Sequence, residues 1–175
     1  MISNFITESM SRINIRNIVR EFRKFLNINL DEYIDVVRLL DILSTRFDDF
    51  SYEIVPNNFF PKKVFATTDI RTGHIMIKQE IYDKACDGDG FSRFTIAHEI
   101  GHFILLYLYG FKLTKSLVNV NKKAYKDPEW QAECFAGEFL MGYDVARNFS
   151  VNELKNKCGV SLKAARYQFN KFKIS

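Results

Sequence analysis

The run His98-Glu99-Ile100-Gly101-His102 combines residue types and a spacing that could do chemistry. Four residues advance a helix by about 400°, so the two histidines project from one face, one turn apart. That separation suits two imidazole nitrogens on a single zinc ion. Glu99 falls about 100° further round, within reach of a water at the metal but badly placed to ligate beside both histidines. The chemistry this predicts is hydrolysis, with zinc acidifying water and Glu99 acting as general base. The chain has 3 histidines, and two of them are here. A glutamate between them on an apolar helix would be costly to bury without a cationic partner. Gly101 removes bulk beside the site, where another element could approach.

Catalytic zinc usually has three protein ligands and a water, so one ligand must come from elsewhere. A third histidine further along the same helix is excluded, because Leu105 and Leu108 stand at those positions. His74 shares a strand face with Met76 and Lys78 and reads as a surface residue. The acidic candidates lie on a second helix, Pro128 to Gly142. Counted from Glu129 at about 100° per residue, Glu133 falls near 40° and Glu138 near 180°. Glu138 therefore points away, while Ala136 and Leu140 flank an otherwise apolar face that carries Glu129 and Glu133 inward. Helical geometry leaves both open as the third ligand.

These helices need a scaffold, and the remaining pattern predicts one. Ile13 to Leu26 places Ile15, Ile18, Val19, Phe22 and Leu26 on one helical face. Asp31 could cap a second helix carrying Ile34, Val37, Leu40, Ile42 and Leu43, and Asn27 to Leu30 would turn the pair into an antiparallel hairpin. Short strands are expected at Tyr52–Val55, Val64–Thr68 and His74–Lys78, the last two joined through Asp69 to Gly73 as a β-hairpin. Ser92 reads as the cap of the histidine helix, Phe94 to Tyr109. Asp127-Pro128 reads as an N-cap followed by proline at the first helical position. Two short helices, Val151–Lys157 and Leu162–Phe172, follow on either side of Gly159 and Ser161. The expected fold is α+β, mostly helical, with a roughly three-stranded antiparallel sheet beside the active-site helix. Its organisation is a single unit, 1–175: a helical hairpin over 1–50, a zincin-like catalytic core over 51–146, and a basic helix-turn-helix-like segment over 147–175.

Composition bounds the remaining classes. With 175 residues, 47% hydrophobic and 26% charged, the chain is long enough for one disulfide-free core and too ordinary for global disorder. The 3 cysteines include no closely spaced pair, so neither a disulfide framework nor a cysteine zinc knuckle is expected. The apolar window Phe91–Phe111 contains Arg93, His98, Glu99 and His102, which makes it a core helix and not a membrane span. The N-terminus carries Asn4, Thr7 and Glu8 where a signal peptide needs an apolar run. A soluble cytoplasmic protein is expected. Residues 147–175 hold seven basic side chains against one acid, which leaves the preceding part slightly acidic within the net +4. That segment could contact nucleic acid, but Ala164, Ala165 and Phe169 favour packing or partner docking.

The residues from Arg93 to His102, Arg-Phe-Thr-Ile-Ala-His-Glu-Ile-Gly-His, resemble the signature of the ImmA/IrrE family of zinc metallo-endopeptidases. A second match runs from Glu129 to Met141, with Gln131 for a glutamate, Glu133 for an asparagine and Gly142 for a terminal proline. The resemblance implies Zn2+ as cofactor, His98, His102 and Glu129 as ligands with Glu133 in reserve, and Glu99 as the catalytic residue. It also implies a cytoplasmic protease that relieves repression by cleaving a helix-turn-helix repressor encoded nearby. For the oxyanion donor, Tyr107, Tyr109 and Tyr143 are equally eligible. The rival reading is a non-catalytic regulator that contains zinc and binds a repressor or DNA.

Overall fold

A computed structural model of the chain describes residues 5–29, 33–110, 114–115 and 123–173. In chain order the elements are β1 (Phe5–Ile6), α1 (Arg12–Phe25), α2 (Val36–Arg46), β2 (Ser51–Val55), β3 (Ala66–Asp69), β4 (His74–Lys78) and α3 (Gln79–Cys86). Then come α4 (Gly90–His102), a π-helical stretch (Phe103–Leu108), β5 (Thr114–Lys115), a 3-10 turn (Ala124–Lys126), α5 (Pro128–Leu140), α6 (Tyr143–Ala146), α7 (Val151–Cys158) and α8 (Leu162–Phe172). Eight α-helices among the described residues thus accompany a small sheet. No helix among them is long and apolar enough to cross a membrane.

The centre of the molecule is the packing of α4 on α5. Ile96, Ala97 and Ile100 of α4 are fully buried, as are Ala132, Phe135, Ala136 and Phe139 of α5. The predicted face of α1 lies on α5, with the Phe22 ring tilted against Phe135 at 6.0 Å and Phe139 at 5.5 Å between ring centres. The next helix, α2, packs chiefly on α4 and β2, with Leu39, Leu40 and Leu43 buried. The cap of α2 is Asp35, whose carboxylate accepts from the backbone N–H of Val37 and Arg38 at 3.1 Å. Asp31 lies outside the described residues.

The sheet departs from expectation in direction. Its order is β2-β4-β3, with β3 antiparallel to β4 as a hairpin but β2 parallel to β4, so the sheet is mixed and not antiparallel. The hydrophobic strand explains the order: Ile75 and Ile77 of β4 are fully buried, and β4 takes the centre. Parallel neighbours need a long crossover, and residues 56–73, β3 included, supply it. Gly73 closes the hairpin at φ +70°, where a Cβ would stand 2.3 Å from the Asp49 carbonyl oxygen. A two-stranded pair, β1 with β5, lies apart from this sheet.

The start of α4 is also one turn earlier than expected. Asp89, not Ser92, is the cap: its carboxylate accepts from both the N–H and the Oγ–H of Ser92 at 2.8 Å. Ser92 is instead the residue whose donors the cap satisfies, a role that composition alone does not distinguish from capping.

Candidate metal centre

The site begins with how α4 is held. Arg93, 2% exposed, donates to the carbonyl oxygens of Gly159 at 2.8 Å, Ile34 at 2.8 Å and Cys158 at 3.3 Å. It also donates to the Tyr33 hydroxyl and lies 3.9 Å over the Tyr33 ring. One side chain thereby ties the first turn of α4 to the segment before α2 and to the α7–α8 corner. Further along the helix, His98 and His102 emerge on one face as the spacing requires, their rings 4.7 Å apart and nearly perpendicular at 85°.

The second helix is brought close by a missing side chain. A Cβ on Gly101 would stand 3.0 Å from the Phe135 ring and 3.2 Å from the Ala132 carbonyl oxygen, so glycine sets the distance between α4 and α5. The start of α5 is fixed by Pro128 and by Asp127, whose carboxylate accepts from the Glu129 N–H at 3.2 Å. Glu129 Oε2 then lies 3.3 Å from His98 Nε2 and 3.6 Å from His102 Nε2. Ligands at about 2.0–2.1 Å from a tetrahedral zinc are separated by about 3.3–3.4 Å from one another. The two histidine–glutamate separations are close to that spacing, all three donors lie within 4.8 Å of one another, and two imidazoles with one carboxylate form a set that could hold a metal ion.

The electrostatics also suit a cation. Burial disfavours a charged ring at His98, yet the hydrogen bond to Glu129 and the charges of Glu99, Glu129 and Glu133 outweigh it and raise its pKa above the ordinary value. Beside the trio opens a cleft of about 190 Å³, lined on one side by Thr95, Glu99, His102 and Glu129 and on the other by residues 63–68. Glu99 faces this cleft without joining the trio. Its Oε2 accepts from Thr68 Oγ1 at 2.7 Å, and the same hydroxyl lies 3.1 Å from the Glu99 carbonyl oxygen.

Other sequence candidates are elsewhere. Glu133 is exposed and stands outside the trio, so the inward face expected to carry both acids carries Glu129 alone. The neighbouring Gln131, by contrast, is buried and bonded to the carbonyl oxygens of Glu8 and Tyr125. Glu138 does turn away, not to solvent but into a buried cluster with Arg12, Arg16 and Gln168. His74 contacts Ser51 and Glu53 on the sheet. Of the tyrosines, Tyr107 stacks on Phe103, Tyr143 lies between Arg16 and Phe172, and Tyr109 is exposed; none lines the cleft. Thr68 was missed by sequence reasoning, since its contact depends on how β3 sits across α4, and nothing in its own neighbourhood signals that.

The chain matches the model of the IrrE N-terminal-like domain, Peptidase_M78, over residues 61–170. No curated protein matches it. The matched segment begins ahead of β3, runs through both helices of the trio and ends within α8. A family shared over most of the chain, together with two histidines and a glutamate converging beside a cleft, has one consequence: this chain belongs to the ImmA/IrrE family of metallopeptidases.

Proposed function

We propose that the protein is a zinc endopeptidase in which His98, His102 and Glu129 hold the metal and Glu99 is the general base. The observation that carries this reading is the convergence of His98 Nε2, His102 Nε2 and Glu129 Oε2 while Glu99 is drawn toward Thr68. Zinc held there supplies a Lewis acid that polarises a peptide carbonyl and acidifies water. Glu99 takes a proton from the attacking water through the carboxylate oxygen not engaged by Thr68. As the C–N bond breaks, it delivers that proton to the leaving amine. Thr68 fixes the rotamer from which both transfers occur.

The sheet supports a polypeptide substrate. β3 is an edge strand, bonded to β4 on one side, and its residues Ala66 to Thr68 form a wall of the cleft. An extended peptide added along that free edge would gain main-chain hydrogen bonds and pass its backbone before Glu99. The resemblance to the ImmA/IrrE family points to a helix-turn-helix repressor encoded nearby as that substrate, with relief of repression in a stress response or in control of a mobile element as the outcome. A cytoplasmic location goes with such a substrate.

Incubating zinc-loaded protein with that repressor tests the reading. The repressor should be cut at a defined bond, and chelator should stop the cutting. Glu99→Gln should keep about one zinc per chain yet lose hydrolysis, whereas His98→Ala should lose both. Full activity in Glu99→Gln would sink the mechanism. An intact repressor under every condition would instead favour a non-catalytic regulator of repressor or DNA, for which the exposed Lys163 and Arg166 of α8 and Lys173 just after it offer a surface.

A further inference from the structure

The faces of α4 and α5 that carry His98 and Glu129 also border a second cavity, one helical turn away. One turn before His98 on α4 is Phe94, and one turn after Glu129 on α5 is Glu133. Between these positions and the first half of α8 lies the cavity, about 240 Å³ in volume. Its walls are mainly apolar: Phe91 and Phe94 from α4, Met141 from the end of α5, and Ala164 and Tyr167 from α8. At its base the Gln168 side chain lies directly on Gly137, where a Cβ would come within 2.9 Å of Gln168 Oε1. The Gln168 amide is itself turned to Arg12 and Glu138. Glu133 and Lys163 are exposed at the rim, and Phe91 and Tyr167 leave 48% and 39% of their surface open there.

Size and place together identify the occupant. Pockets for drug-sized ligands run from about 300 Å³ upward, so this one is matched to a single large side chain. A helical turn is about 5.4 Å and an extended chain advances about 3.3 Å per residue, so the cavity lies one to two residues along a peptide from the metal ligands. We propose that it is a specificity pocket which receives one large apolar side chain of the substrate polypeptide, leucine, methionine or phenylalanine, within two residues of the scissile bond. This rests on the endopeptidase reading above. It gives α8 a role in choosing the substrate, because Ala164 and Tyr167 form a wall that α4 and α5 do not supply.

Two measurements test the pocket separately from proteolysis. In the first, zinc-loaded protein is given a randomised peptide library and the cut sites are read by mass spectrometry. A large apolar residue should be enriched about tenfold or more over alanine at one fixed position. Ala164→Phe, which fills the cavity, should shift that position to Gly, Ala or Ser. Tyr167→Ala, an exposed change that keeps the fold, should weaken the preference severalfold. In the second, fluorescein-labelled peptides are titrated onto Glu99→Gln protein and followed by anisotropy, which needs no turnover. A leucine peptide should bind about tenfold tighter than its alanine counterpart, and adding Ala164→Phe should erase the difference. Cleavage with no side-chain preference, or a preference that both variants leave unaltered, overturns the pocket and leaves the endopeptidase standing. Selective, Ala164→Phe-sensitive binding without any cleavage supports the pocket and overturns the endopeptidase.

Discussion

Thr68 donates its hydroxyl hydrogen to Glu99 at 2.7 Å, and that bond decides which way the carboxylate faces. Replacing it by valine keeps the shape of the side chain and removes the donor. Groups that orient a reacting or ligating residue typically cost about 10–100-fold when lost. Thr68→Val should therefore lower kcat by roughly that factor with bound zinc and KM little changed, as steady-state kinetics with a metal assay will show. An unchanged kcat would remove Thr68 from the mechanism. At the same scale the trio was legible from residue types: the spacing of His98 and His102 gave one face, and the periodicity of α5 narrowed the third ligand to Glu129 or Glu133. The family resemblance favoured Glu129, and the contact of the two helices, with His98 and Glu129 31 residues apart in sequence, puts Glu129 beside both rings and leaves Glu133 exposed. Helical angle fixes a direction but not a depth, so two residues about 40° apart looked equivalent.

Between elements, Gly101 is the controlling residue. With a Cβ only 3.0 Å from the Phe135 ring and 3.2 Å from the Ala132 carbonyl, a larger side chain must push α5 outward. Gly101→Val should cost about 1–3 kcal/mol by overpacking, measured by denaturant unfolding. Because α5 carries Glu129, it should also weaken zinc binding, which competition with a chromophoric chelator reads directly. Stability lost with zinc affinity intact would mean that the helices adjust without moving Glu129. Helix ends marked by proline, glycine or a serine cap were readable in advance: Asp127-Pro128 opens α5, and Gly159 with Ser161 forms the α7–α8 corner. The direction of β2 was not. Strand direction depends on which strand is central, and only packing of Ile75 and Ile77 against the helices settles that. The four-residue α6 is too brief to show a period, and α3 follows β4 directly without a side-chain cap to mark its start.

Across the whole molecule, distant parts of the chain meet at Glu138. Its fully buried carboxylate takes Arg16 at 2.9 Å and Arg12 at 3.2 Å from α1, and Gln168 at 3.1 Å from α8. Removing it strands the buried Arg16 guanidinium and the half-buried Arg12, a loss of about 3–5 kcal/mol. Glu138→Ala should show that drop in chemical denaturation, and a loss below about 1 kcal/mol would mean that water reaches the arginines. The three free cysteines report on the same compactness. Burial pushes the Cys134 thiol up to about 12, whereas Cys86 is exposed and only raised, by partial burial and by Asp83, Asp87 and Asp35. Iodoacetamide at pH 8 should label Cys86 first and reach Cys134 only on unfolding; early labelling of Cys134 would reveal an opening of the α1–α5–α8 junction. That junction also bears on synthesis. Translation delivers α1 and α5 before α8, so a nascent chain that ends at α7 already holds both histidines and Glu129 but lacks Gln168, Ala164 and Tyr167. On the proposed reading, the emerging polypeptide thus carries its metal-binding side chains before it has the pocket wall that α8 contributes.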